Sequence, residues 1–314
     1  MLKIRRYDES ISDEIKKKFR DMWEEINAHG DVLCETISVA EEDGHPVGIC
    51  FLLLTSTYHY SDLEHPGYLN MEYEAATGES EIEISGMLID ALINDYKKIC
   101  KKNKKKRLIL RTFCSPTSVD YLMYLSSFGF RAQNFMYRMK KDLTEVVPTG
   151  GDGSFSFELT DKGTIEKVEV SAIRAEADGK INGLEGYFEA NKSAFGIPDS
   201  ENELNFRLSE QCGVQFVARI GGKVVAAVSV WENRPDSVST ENIFCIPEYH
   251  RRGVTEKLMR SVCSYLAGKG YREATLFVYG VNTYAIGLYM KLGYNIYGGM
   301  LHMLYEDGYV PEMV

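Results

Sequence analysis

The densest chemistry of the chain lies in "CIPEYHRRGVTEKLM", from Cys245 to Met259. There an apolar run ends at a proline, and His250, Arg251 and Arg252 stand immediately before Gly253. After the glycine, Val254, Leu258, Val262 and Leu266 recur at four-residue steps, the spacing of one helix face. The first N–H groups of a helix lack intrahelical partners, and the aligned peptide dipoles put partial positive charge at that end. Three basic side chains beside such a helix start make a site for an anion, a phosphate above all. A solvated turn is the other reading for Arg251 and Arg252, and only the helix start that follows favours phosphate.

Two more residues have side chains suited to moving protons. Glu241 sits in "TENIFCI", flanked by Ile243 and Phe244. Partial desolvation there would raise a carboxylate's pKa; an ordinary solvent-facing strand residue is the equal alternative. Tyr289 lies in "NTYAIGLYMKLGY", on the face shared by Ala285, Leu288 and Leu292, and spacing alone assigns it to the core. Asn282 precedes this helix as an N-cap. His59 and His65 have no companion at metal-ligand spacing, and neither H-E-x-x-H nor C-x-x-C occurs, so no metal is expected. The run "KKICKKNKKKR", Lys97 to Arg107, follows the stripe Leu88, Leu92 and Tyr96 and has no interleaved aromatic residue. It reads as a cationic helix end rather than a nucleic-acid patch, and no nucleic acid is expected as a partner.

The elements that must position these residues occur twice. Phe128-Gly129-Phe130 answers Leu292-Gly293-Tyr294, and Met136 and Met139 answer Met300 and Met303, each pair 164 positions apart. "GHPVGICFLLL" from Gly44 likewise answers "GGKVVAAVSVW" from Gly221, a tight turn opening an apolar strand. In the C-terminal copy "VQFVARI", "KVVAAVSVW", "TENIFCI" and "EATLFVY" read as strands. The N-terminal copy runs strand–helix–strand–helix through "YLNMEYEAAT", "SGMLIDALINDYKKI", "KRLILRTF" and "SVDYLMYLSS". Such alternation predicts an α/β fold with mixed pairing. "TEVVPTGGDGS", Thr144 to Ser154, has linker composition. Two related domains are therefore expected, residues 1–147 and 148–314.

Composition narrows the class. With 44% hydrophobic and 26% charged residues the chain has an ordinary globular make-up. A formal charge of −10 argues against nucleic acid and for the approach of cationic molecules. Seven scattered cysteines, with no close pair, fit reduced thiols. "MLKIRRYDES" is charged with no apolar segment after it, and no apolar run approaches the ~18 residues of a membrane span. A cytoplasmic protein without a membrane partner is expected, as a monomer or homodimer.

The strand–loop–helix around Gly253 resembles motif A of the GCN5-related N-acetyltransferase (GNAT) superfamily, whose loop reads Q/R-x-x-G-x-G/A. His250 falls at the Q/R position, Gly253 at the first glycine and Thr255 at the second small residue. "NTYAIGLYMKLGY" is similar to motif B of the family, through Asn282, Ala285, Tyr289, Gly293 and Tyr294. The resemblance covers Val214 to Glu306 well and the N-terminal half in outline. It implies two tandem GNAT-like domains, each a mixed, mostly antiparallel twisted sheet flanked by helices, an arrangement similar to mycothiol-synthase-like proteins.

The resemblance also implies an activity, the transfer of acetyl from acetyl-CoA to an amine, here of a small acceptor. By it, His250, Arg251, Arg252, Gly253, Val254 and Thr255 hold the pyrophosphate, Asn282, Ala285 and Tyr289 flank the cofactor, and Phe244, Cys245 and Ile246 pair with pantetheine as an added strand would. One N–H of that strand stabilises an oxyanion. Glu241 matches the general base of the histone-acetylating branch, and Tyr289 is the acid for the leaving thiolate. "YFEANKSAFGIPDSENELNF" from Tyr187 is expected to cover the acceptor. In the N-terminal copy the loop position reads "ATGESEIEIS"; Glu79, Glu81 and Glu83 there repel phosphate, and Leu125 and Ser118 stand opposite Tyr289 and Asn282. That copy is expected to be inactive. Two other classes stay open, a non-catalytic acyl-CoA-binding regulator and an interaction scaffold of the same fold.

Overall fold

β-Branched and aromatic residues cluster in short runs bounded by turn residues, and such runs are strands in the computed structural model. It describes residues 1–8, 12–28, 31–59, 61–78, 80–161, 164–196, 198–199, 201–210 and 213–307. The chain divides into two units, residues 1–134 with the chain from Leu301 on, and Phe135–Met300.

The first unit contains β1 (Leu2–Arg6), α1 (Ser12–Lys18), α2 (Arg20–Ala28), β2 (Ser38–Glu42), β3 (His45–Leu54), α3 (Ser56–His59), β4 (Gly67–Ala75), α4 (Glu81–Lys102), β5 (Leu108–Cys114) and α5 (Val119–Ser127). Its strands pair in the order of the chain, antiparallel except for β4 with β5. Period-two alternation divides the side chains of β2 and β3 between two faces. Val39, Ile49 and Phe51 meet Ile15 of α1 and the neighbouring Phe19; Ala40, Cys50 and Leu52 meet Leu88, Leu92 and Tyr96 of α4. Both faces are covered, which is why β3 is apolar almost throughout.

The second unit contains β6 (Arg131–Asp142, from Phe135 on), β7 (Phe155–Asp161), β8 (Thr164–Ile173), α6 (Tyr187–Phe195), α7 (Glu201–Glu210), β9 (Val214–Ile220), β10 (Lys223–Arg234), β11 (Ser237–Cys245), α8 (Val254–Gly268), β12 (Glu273–Tyr279), α9 (Thr283–Lys291) and the start of β13 (Asn295–Tyr305). Strands β7 to β11 pair consecutively and antiparallel, β11 and β12 parallel, and β12 antiparallel with β6. The pairing pattern repeats that of the first unit, and α5 and α9 match at both ends at the 164-residue offset. Leu258, Met259, Val262 and Leu266 of α8 are buried in one core with Val225, Ala227 and Phe216.

The units depart from consecutive halves split at 147 and 148. Met136–Asp142 of β6 pair with Tyr279–Glu273 of β12 inside the second unit, and residues 301–305 of β13 pair with β5 inside the first. Each copy's last strand thus closes the other copy's sheet. Nor is the stretch from Thr144 to Ser154 a free linker. Thr149 N–H donates to Ser264 C=O at 2.9 Å, and a Cβ on Gly268 would lie 2.0 Å from the Thr149 oxygen. The stretch packs against α8. The basic run ends in protein contacts: Arg107 forks onto Glu306 at 2.6 and 3.0 Å, and Lys106 Nζ donates to Tyr58 C=O at 2.6 Å. Among the described residues no helix is long and apolar enough to cross a membrane, and no group of three or more His, Cys, Asp or Glu is placed to hold a metal ion.

Candidate active site

Strands β11 and β12 begin as a parallel pair and then part. Pairing runs from Ser237 with Glu273 to Ser239 with Thr275. Beyond it, Phe244 stands opposite Ala227 of β10 while Glu241 stands opposite Ser229, so β11 carries one extra residue in between. This is a β-bulge, which bends a strand and re-aims its side chains. Asn242 within it takes a left-handed φ of 46°, tolerable for asparagine. The bend opens the edge of β11 from Thr240 to Cys245. Ile246 N–H donates to Val225 on β10 at 2.9 Å, so alternation turns the Cys245 N–H and C=O to the opposite edge, towards the gap.

The loop that follows has the loop-to-helix form expected from the sequence. A short 3₁₀ turn at Pro247–Tyr249 leads to His250, then to Arg251 at φ 61° and Gly253 at φ 79°, the N-cap of α8. Left-handed residues on either side of Arg252 make a turn of the kind that gathers backbone N–H groups into a concave nest. Lys257 N–H is the one that returns to Gly253 C=O, at 3.1 Å, so Val254, Thr255 and Glu256 present the first-turn N–H groups. The space where a Gly253 Cβ would stand has no heavy atom within 4 Å.

The three basic side chains differ in placement. Arg251 is exposed. The Arg252 guanidinium pairs with Glu166 and lies over the Tyr249 ring, 4.6 Å from its centre. His250 Nε2 is 2.9 Å from Cys245 C=O, so it donates there. Burial pushes the Cys245 thiol up to about 11, with the nearby Thr255 side chain opposing it, and Sγ donates to Ile246 C=O at 3.6 Å. Phe244, Ile246 and Val254 are buried supports of the loop.

Tyr289 is 6% exposed, and no hydrogen-bond partner for its hydroxyl stands among the described residues. Desolvation pushes its phenol up to about 12. Asn282 caps α9, its Oδ1 accepting Ala285 N–H at 3.2 Å, and Ala285 packs at the rim of the core. Glu241 is half-buried, with Oε1 accepting from Ser239 Oγ at 2.8 Å.

Sequence reasoning missed two contributors. Asp199, between α6 and α7, accepts from Tyr187 hydroxyl at 3.1 Å and from Asn242 Nδ2 at 2.9 Å. It ties that connection to the bulge beside Glu241. Residues 197 and 200 of the expected acceptor segment lie outside the described residues. Glu166 is the other, a β8 residue whose contact with Arg252 joins positions 86 apart. Neither sits in a motif; each acts through an approach made only on folding.

Residues 184–294 match the model of the Acetyltransferase (GNAT) family. No curated protein matches the sequence. Among solved structures, a GCN5-related N-acetyltransferase from Sphaerobacter thermophilus aligns with a TM-score of 0.63 at 16% identity, over 97% of this chain and 95% of that one. A putative acetyltransferase from Pyrococcus horikoshii gives 0.55 at 13%, over 98% and 89%. A tandem GNAT protein from the clavulanic acid biosynthesis pathway gives 0.58 at 12%, over 99% and 100%. At such identities the likeness is one of fold.

Proposed function

We propose that this chain is a member of the GNAT superfamily, which its second unit and its fold resemble, and that it moves an acetyl group from acetyl-CoA to an amine in the cleft of that unit. The family is one of acetyltransferases, and acetyl-CoA is its general acetyl donor. One observation carries the reading. The parted strands β11 and β12 lead into a helix start whose glycine leaves open space and whose N-cap makes no side-chain hydrogen bond to the first-turn N–H groups. A pyrophosphate fits there, held by the N–H groups of Gly253 to Glu256 and approached by exposed Arg251. Pantetheine amides fit the free edge of β11, where the Cys245 N–H can also donate to a carbonyl oxygen.

The remaining roles belong to the chain's own side chains. When bound, the thioester supplies the acetyl group. Glu241 takes a proton from the incoming ammonium, directly or through one water, with Ser239 fixing one carboxylate oxygen. Tyr289 holds a proton for the departing sulfur, and its raised pKa keeps the hydroxyl protonated across the working range. Asp199 positions the wall of the acceptor side through Asn242.

A second reading, a regulator that binds acyl-CoA without turnover, is favoured by the engagement of His250 with Cys245 and of Arg252 with Glu166. Thiol release from acetyl-CoA across a panel of primary amines separates the two. Amine-dependent release that Glu241→Gln suppresses supports the enzyme. CoA binding with no release for any amine supports the regulator.

A further inference from the structure

The first unit keeps the cleft of the second and reverses its charge. Strands β4 and β5 pair in parallel from Gly67 with Leu108 to Asn70 with Arg111 and then part. The gap beyond is a cavity of about 630 Å³, walled by β4, β5, α4 and α5. That is the size of small-molecule pockets in general. Yet the helix start beside it is unfavourable to anions. Glu81 N–H already donates to Gly78 C=O at 3.2 Å. Glu81 and Glu83 stand in the first turn, while Glu79 lies outside the described residues. A phosphate would meet carboxylates where the second unit offers N–H groups.

Two properties of the cavity wall point to what it takes instead. Glu72, Glu74, Glu81 and Asp120 are among its lining residues, and among the described residues no lysine, arginine or histidine lines it, the guanidinium of Arg111 on β5 lying 5.6 Å from the Phe113 ring. The rest of the wall is aromatic. Tyr73 and Tyr121 are joined hydroxyl to hydroxyl, and Tyr124 donates its hydroxyl to Ile82 C=O at 2.7 Å. With their polar ends tied to the protein, these rings present carbon surface, whose faces attract ammonium groups and whose edges accept methylenes. The carboxylates are not gathered as a metal site among the described residues. Carboxylates dispersed along an aromatic cavity match charges separated by methylene chains.

We propose that the cleft of the first unit is a binding site for an organic polyammonium compound. Ammonium groups pair with the carboxylates of β4 and of the α4 and α5 starts, and the alkyl links lie on the tyrosine rings. The site is separate from the acetyl-transfer cleft and does not depend on that reading.

Calorimetric titration of the full chain with spermidine, in the presence of saturating CoA, tests this. One-to-one binding is expected, weakened more than tenfold in Glu81→Gln/Asp120→Asn. Tyr121→Leu should weaken it several-fold without changing the charge, and Tyr121→Phe, which keeps the ring, should retain most of it. A control pair, Glu158→Gln/Glu201→Gln, removes two exposed acids of the second unit and should leave binding unchanged. Thermal unfolding checks that each variant is folded. The proposal is overturned if no binding occurs, if the control pair weakens binding as much as the cleft pair, or if CoA displaces spermidine. Loss in the cleft pair with no effect of Tyr121→Leu would also overturn it, since charge alone would then explain the binding.

Discussion

Replacing Tyr289 by phenylalanine separates its structural part from its chemical one. The ring is 6% exposed and its hydroxyl has no partner among the described residues, so the substitution keeps the packing and removes a group that gains little from burial. Stability near neutral pH should be unchanged or slightly higher. In alkali the two proteins should diverge. With the phenol held up to about 12 in the fold against about 10 when unfolded, the unfolded chain releases this proton first, so wild type loses stability as pH rises from about 10 to about 12. Two pH units correspond to roughly 3 kcal/mol, which Tyr289→Phe should retain; the difference between the two proteins in denaturant titrations at each pH reads it.

The kinetic effect is bounded by the same pKa. A thiol-like leaving group near about 8.5 is a weaker base than this tyrosinate by about 3.5 units, so full proton transfer in water would run uphill by about 5 kcal/mol. In the proposed mechanism Tyr289 therefore acts as a hydrogen-bond donor whose proton follows late. The loss on removing it should sit near the low end of general-acid effects, about 10²-fold in turnover, with CoA affinity little changed. Single-turnover measurements with a confirmed acceptor give the chemical step. Wild-type rates in the variant would refute the assignment, and an absent alkaline difference would refute the burial on which it rests.

Three further outcomes are expected. Gly253→Glu forces an unfavourable φ of 79° on a side chain whose carboxylate would face the phosphates, and should weaken CoA more than tenfold by calorimetry, beyond about 1.4 kcal/mol. Titration of the full chain with CoA should give one site, because Glu81 and Glu83 stand in the first turn of α4, whereas the acid of the first turn of α8, Glu256, is paired with Arg260 and Lys291; two sites of similar affinity would contradict this. Asn282→Ala removes the cap on Ala285 N–H and should cost about 1 kcal/mol of stability, read as a lowered midpoint in urea.

Much of the site was legible before folding because it is local. The helix start at Gly253, the stripe from Val254 to Leu266 and the Asn282 cap depend on neighbours within one or two turns, and hydrophobic period and capping chemistry report them directly. The repeat was legible for the same reason: α5 and α9 begin and end at equivalent positions because equal patterns make equal elements. Tertiary structure alone decided what depends on approach between distant segments. Strands β6 and β13 carry equivalent sequences, so pattern could not say which sheet each would close; pairing with β12 and β5 decided it. The glycines after Thr144 read as a linker, whereas Thr149 is held against Ser264 and Gly268. His250 and Arg252 looked alike as phosphate ligands until folding brought the Cys245 carbonyl to one and Glu166 to the other. A side chain's charge is written in the sequence; its partner is set by which surfaces the core brings within about 3 Å.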